Sequence, residues 1–475
     1  MTSIRRLSPA CLVVVGFAAQ IAMAGTPVVQ DYKLNVTFSP DDAQMAGHAL
    51  IALDPLKLPD SDLVFYLHGE LRVDSIKVDS SSVAYEEKQV FYDHDYSLIA
   101  DEVWINRLPQ STRRLDVWYS GYFHASKARS PSDYMRIDSA GVFLRSYGYS
   151  PWFPIFLPPG ADETRADFSS VTIRTPAKFS SVFVGTKTGE RIEGDQRLTE
   201  WEASNIGLFA AQCTAQRFQV TSDGNYFLYH YADSQSVAAA KSILAFATGL
   251  NESYDRAYRH HPAAEQFYLL EMPAYGDISS GNVTGLIYST WQRFTDDENS
   301  QRALAHELVH PFVAVPVSRT DSMYCLAIEG FPSYFHLPIL AQRLGDDFYN
   351  RFLGWMEKLY LDIRATGVDN RGNRMPPEKP LLAISADELS TYKDEFVLSD
   401  RALLFLNYLR ARMGDDTFVK FTSDIYNLET LTTRKFREQI EKYLPGSASD
   451  VNLWLATSDY PDRFRFENFQ RASGH

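Results

Sequence analysis

One stretch restricts the folds open to this chain more than any other: His306-Glu307-Leu308-Val309-His310, followed nineteen residues later by Glu329 in Ile328-Glu329-Gly330-Phe331. Positions i and i+4 of a helix share one face, so His306 and His310 direct two imidazoles at one point. That spacing matches a tetrahedral zinc site with nitrogen ligands. Glu307 lies beside His306 and one turn before His310, where it flanks the same point without ligating. A third ligand is required, and Glu329 is the candidate. Two histidines, one glutamate and a water make the open, catalytic form of a zinc site, not the closed, structural form. Leu304, Leu308 and Phe312 imply that the first helix is buried on one side.

At 475 residues the chain is too long for one ordinary core, and two or more domains are expected. Hydrophobic residues at 45% and charged residues at 22% exclude wholesale disorder. The formal charge of -14 and the lack of a Lys/Arg block argue against nucleic acid as a partner. The N-terminus reads as a secretory signal over 1–24. Arg5 and Arg6 form a basic start, an apolar run covers 11–19, and Ala22-Met23-Ala24 fits a cleavage site. The run is too short to span a bilayer, and no second hydrophobic stretch of spanning length follows. A periplasmic or secreted protein is therefore expected. Removal of the signal takes Cys11 and leaves Cys213 and Cys325, too few for a disulfide framework. Cys325, close before Glu329, reads as a buried thiol and not as a ligand.

Period-two alternation marks 32–38, 48–53, 63–67, 115–119, 171–174 and 181–184 as strands, with Pro, Gly, Asp and Ser between runs. Such a succession predicts an antiparallel sandwich or saddle-shaped sheet over 25–222. Around Ser222-Asp223-Gly224 the period changes. A helical stripe runs through 234–258, strands are expected at 266–271 and near 285–288, and helices at 300–313 and 329–344. Residues 367–380 read as an exposed loop. Further helices are expected at 399–413, 415–427, 433–443 and 449–456.

The pattern H-E-x-x-H, eighteen residues, then E-G-F resembles the M1 family of gluzincin metallopeptidases, typified by zinc aminopeptidases. Gly285-Leu286-Ile287-Tyr288 resembles the end of the family's G-A-M-E-N-W-G-L-I segment. Gly414 to Phe418, and Asn452-Leu453-Trp454-Leu455 with Tyr460-Pro461, resemble the close of its catalytic domain. The resemblance implies an N-terminal β saddle followed by a mainly α, thermolysin-like (α+β) zinc metallopeptidase domain over 223–470. It implies Zn2+ as cofactor, held by His306, His310 and Glu329, with Glu307 as general base. It also implies a peptide or protein substrate.

Against the family pattern, Asn282 stands where a glutamate grips the substrate's free α-amine, and Arg145 lies near a second amine-binding position. Ser399, with Arg401 and Ala402 after it, falls where the transition-state tyrosine segment belongs; Tyr392 is the other candidate. Val315 and Tyr324 replace polar groups around the metal, and such groups tune a site. Three readings follow: an aminopeptidase with a substituted anchor, an endopeptidase in the same cleft, or a zinc-binding, weakly active peptide-binding protein. His260-His261 read as surface residues. His336, seven residues past Glu329 on about the same helix face, reads as a satisfied buried histidine or as a neighbour of the ligands. Tyr147, Tyr149, Trp152, Phe153 and Phe156 read as core, domain seam or cleft lining.

Overall fold

Alternation of apolar and polar residues dictates the first half of the chain. In Val29–Ser39 the side chains of Tyr32, Leu34, Val36 and Phe38 are buried and those between them are not. That is a strand with one face on a core. The computed structural model describes residues 29–94, 96–122, 136–139, 141–145, 151–156, 165–207, 211–216, 218–231, 236–258, 266–271, 279–280, 286–289, 295, 297–313, 315–369, 372–388 and 397–469. Among them an N-terminal, mostly β region precedes a mainly helical one. The β region holds sheets of eight, four and three strands. In the largest, Val29–Ser39 pairs antiparallel with Gln44–Leu53 and parallel with Arg165–Pro176. Trp152 and Phe153 are buried in this region's core. Phe153 meets Tyr32 and Phe168 edge-on, with centroids 5.5 and 5.7 Å away. These two aromatics are core and not cleft lining; Tyr147 and Tyr149 lie outside the described residues.

A five-stranded sheet follows. Its spatial order is Phe218–Asp223, Tyr226–Tyr231, Phe267–Glu271, Leu286–Ser289 and Ser279–Ser280. The three middle strands are parallel and the outer pairings antiparallel. Leu228, Phe267 and Leu269 belong to the helical core, whereas Tyr229, Tyr268 and Leu270 belong to the β core. Successive side chains of a strand point to opposite faces, so this one sheet serves both cores.

Helices α1 (Val237–Tyr258), α2 (Glu298–Val313), α3 (Phe331–Leu344) and α4 (Asp346–Thr366) follow. The later helices are Ala402–Met413, Asp415–Tyr426, Thr433–Tyr443 and Ala448–Ala456. α4 has no counterpart in the sequence reading. Its buried residues Phe348, Tyr349, Leu353, Met356, Tyr360 and Ile363 nevertheless recur at the helical period. Gly367, at φ 70°, closes it with an N–H donated to the Ile363 carbonyl. Glu378, in the loop that follows, is tucked in against Arg401 and Arg364. No described helix is long and apolar enough to cross a membrane.

Candidate active site

α2 begins at a defined cap. The Asp297 carboxylate accepts from the backbone N–H of Asn299 (3.0 Å) and Ser300 (3.1 Å). The Thr295 hydroxyl and these amides hold its pKa below the usual carboxylate range. Leu304, Leu308 and Phe312 enter the helical core and fix the helix's rotation. Residues 302, 306 and 310 then form a half-buried stripe, while Glu307 is buried.

α1 sets how α2 and α3 sit relative to each other. Tyr254 donates its hydroxyl to the Ala305 carbonyl at 2.8 Å, immediately before His306. One turn later Tyr258 donates to the Phe335 carbonyl of α3 at 2.5 Å. Burial pushes the Tyr254 phenol well above its ordinary pKa, so it stays a donor.

Glu329 stands on a π-helical turn, Leu326–Gly330, that runs directly into α3. A π turn is a frequent device at functional sites, where it offsets one residue from the regular helix. His306 Nε2 and His310 Nε2 lie 3.3 Å apart, and His306 Nε2 is 3.8 Å from Glu329 Oε2. One donor atom from each of the three residues falls within 4.8 Å of the other two. Two imidazole nitrogens and one carboxylate oxygen are the donor set of an open zinc site, so these residues fit the metal that the sequence implies. Their partial exposure, 23% for the His306 side chain and 18% for that of Glu329, leaves the point they share accessible.

Beside this cluster lies His336 of α3, 2% exposed. Its ring meets that of His306 at a centroid distance of 5.5 Å and an angle of 81°. Nδ1–H donates to the Pro332 carbonyl at 2.8 Å. Burial pushes the imidazole pKa down to about 3, opposed by that hydrogen bond and aided by the Arg302 and His310 charges. Arg302 precedes His306 by one turn of α2 and lies 5.2 Å over the Phe352 ring of α4.

The segment at Ser399 is a second π turn, Val397–Arg401, packed against the turn that carries Glu329. Ser399 donates its hydroxyl to Asp400 at 2.9 Å. Arg401 is fully buried and donates to Glu378, to Tyr360 and to the carbonyls of Leu453 and Thr457. It ties the end of the chain to the helical core and is not a cleft group. Cys325 is a buried thiol donating to the Ser385 carbonyl, 3.2 Å away. Asn282, Tyr392, His260, His261 and the segment 1–24 lie outside the described residues. Tyr254 stands on the apolar stripe expected over 234–258, but its hydrogen-bonding role, Tyr258 and Arg302 went unremarked in the sequence, although Tyr254 and Tyr258 are spaced i, i+4 and Arg302 shares the stripe of His306.

No protein-family model matches the chain, and no curated protein matches it. Solved structures do. An M1 zinc metallopeptidase from Deinococcus radiodurans, solved as a point mutant with a Tyr-Ser-Ala substrate, aligns with a TM-score of 0.67 at 18% identity. The alignment covers 91% of this chain and 95% of that one. The chain carries the M1 metallopeptidase fold. Yeast LTA4 hydrolase aligns with a TM-score of 0.68 at 13% identity, over 93% of this chain and 70% of that one. The same hydrolase in complex with bestatin gives 0.64 at 14%. At such identities the likeness concerns the fold, and the chemistry rests on the residues above.

Proposed function

We propose that the chain is a zinc-dependent peptidase, exported to the periplasm or beyond after loss of 1–24. The observation that carries the reading is the convergence of His306, His310 and Glu329 with Glu307 alongside. When bound there, zinc supplies a Lewis acid that polarises the scissile carbonyl and brings the pKa of water to about 7. His306 and His310 would hold it by neutral imidazole nitrogens, and Glu329 by its carboxylate. Glu307 takes the proton of the attacking water and hands it to the leaving amine. Its burial keeps bulk water from competing for that proton, while α1 holds α2 and α3 so that ligands and base stay in register. The Tyr-Ser-Ala peptide solved with the Deinococcus protein supports a peptide substrate here.

Glu307→Gln should retain zinc and lose about 10²- to 10⁴-fold in turnover. Unchanged hydrolysis by that variant would remove Glu307 from the mechanism. With Asn282 at the amine position, peptides with acetylated N-termini should be cut as readily as free ones. A peptide library read by mass spectrometry decides this, and strong preference for free N-termini would restore an aminopeptidase. The second reading, a zinc-binding protein with little turnover, draws on Ser399, whose hydroxyl is engaged with Asp400. It predicts zinc uptake without cleavage of any library member.

A further inference from the structure

The sheet that serves both cores also walls a cavity. Phe227 and Tyr229 are two apart on one strand and so share its face toward the β region, and Phe227 pairs with Tyr268 on the next strand. Facing them are Lys187 and Glu190 of Thr186–Glu193 and Arg197 of Gln196–Gly207. The space they enclose is about 400 Å³, the size of a small-ligand site. None of its lining residues belongs to the His306 cluster. Leu304 and Leu308 of α2 lie in the other core, with Leu228 and Leu269 from the opposite face of the sheet.

The cavity is rich in donors. The Glu190 carboxylate takes Lys187 Nζ on one oxygen and the Arg197 guanidinium on the other. Two cations therefore share one anion, which leaves a single net positive charge. Burial pushes the Glu190 carboxyl up, but Lys187 and Arg197 more than reverse this, so all three stay ionised. Arg197 also donates twice to the Ala177 carbonyl, at 3.1 and 3.2 Å, whereas Lys187 Nζ has donors to spare. Gln266 accepts the Tyr268 hydroxyl and, at 3.4 Å, the Lys187 backbone N–H on its amide oxygen. That fixes the amide and leaves its NH₂ to donate. Tyr229 is 3% exposed, yet its hydroxyl makes no hydrogen bond to a described residue. Buried hydroxyls in that condition are uncommon. Burial, then Tyr268 and Glu190, push its phenol well above the ordinary pKa, so it too remains a donor.

We propose that this cavity is a second binding site, separate from the His306 cluster, for a small organic carboxylate. Its anionic group takes the donors of Lys187, Gln266 and Tyr229. Its apolar body lies along the Phe227 ring toward Val220, which is half exposed at the rim. One net positive charge suits a monoanion, and the aromatic wall suits a ring or a branched chain. A simple carboxylic acid and the last residue of a peptide share this chemistry. Because the lining comes from both parts of the chain, an occupant also ties the β region to the sheet beneath the helices.

The test is titration calorimetry on the full-length protein with phenylacetate, N-acetylphenylalanine and phenylacetamide, the last a neutral control of the same shape. At least one acid should bind with a Kd of about 1 mM or tighter, and the amide at least about tenfold more weakly. The acid that binds tighter tells a simple acid from a peptide end as the source. Lys187→Gln should weaken the acids by about tenfold or more, and Tyr229→Phe, which keeps the ring, by about fivefold. Glu190→Gln removes the competing anion and should tighten them several-fold. Affinity should be the same before and after a chelator strips the protein of metal. Failure of both acids to bind would overturn the proposal, as would an amide as tight as its acid. So would wild-type affinity in both Lys187→Gln and Tyr229→Phe, or weaker binding in Glu190→Gln. Binding that disappears with the metal would put the carboxylate at the His306 cluster and overturn this inference while leaving the peptidase reading intact.

Discussion

Gly330 offers the sharpest test of how Glu329 is placed. It follows Glu329 and ends the π turn with an ordinary helical φ of -65°. A β-carbon there would lie 2.5 Å from Leu326 Cδ1 and 3.0 Å from the β-carbon of Ala402. Leu326 is a flexible side chain but is fully buried, so its tip has nowhere vacant to go. Ala402 is buried at the start of its helix, and its β-carbon moves only if the helix moves. Alanine gains about 1 kcal/mol over glycine inside a helix. Overpacking a buried contact costs about 1–3 kcal/mol. Gly330→Ala should therefore lose up to about 2 kcal/mol net, and the turn should yield by tenths of an ångström at Glu329. Denaturant titration reads the first effect and chelator competition for zinc the second. Leu326→Ala opens the closest contact, so adding it to Gly330→Ala should cost less than the two changes separately. A variant as stable as wild type with undiminished zinc affinity would refute the packing argument.

Three further outcomes are expected. Tyr258→Phe removes the bond to the Phe335 carbonyl and should cost about 1 kcal/mol by denaturant titration, with zinc affinity falling as α3 loosens. Asp297→Ala should cost about 1 kcal/mol at pH 7 by loss of the α2 cap. Because the folded-state pKa of Asp297 is depressed, its stabilisation is complete above the unfolded value of about 3.9 and is lost as pH falls through the folded value. The gap between wild type and variant, followed by urea melts at falling pH, should close below about pH 4 and stay constant above it. Zinc at about 100 times its dissociation constant should stabilise the protein by about 2.7 kcal/mol, and a chelator should reverse this in calorimetry.

Much of the architecture could be read from periodicity alone. Strands such as Val29–Ser39 have one wet face, so alternation shows in the residues themselves. Thr433–Tyr443 carries a clean polar face and its bounds were legible to the residue. The grouping of His306, His310 and Glu329 was legible because i, i+4 histidines admit few geometries. The two π turns were not, since an extra residue in a helix leaves no compositional mark and arises from packing between Leu326–Gly330 and Val397–Arg401. Trp152 and Phe153 look alike in sequence whether they line a cleft or fill a core, and only the partners Tyr32 and Phe168 decide. Arg401 passed for a residue near the reacting groups because its neighbours matched by count. Its depth, and the carbonyls gathered around it, come from a chain end more than fifty residues away. α4 was missed despite a regular stripe, its first turn being crowded with Asp346 and Asp347 between glycine and aromatic residues.

The five-stranded sheet has a consequence for how the molecule is made and dismantled. Tyr229, Tyr268 and Leu270 are as necessary to one core as Leu228 and Leu269 are to the other. Tyr268 alone reaches both Trp201, at 5.3 Å between rings, and the backbone N–H of Lys187. An expression fragment begun at the change of period would carry a bare aromatic face, and one ended there would lack its lid. Both should aggregate, and the intact chain should melt in a single transition despite its length. Inheritance of this architecture is then inheritance of the pair: neither half can be exchanged without the strands that lie between them.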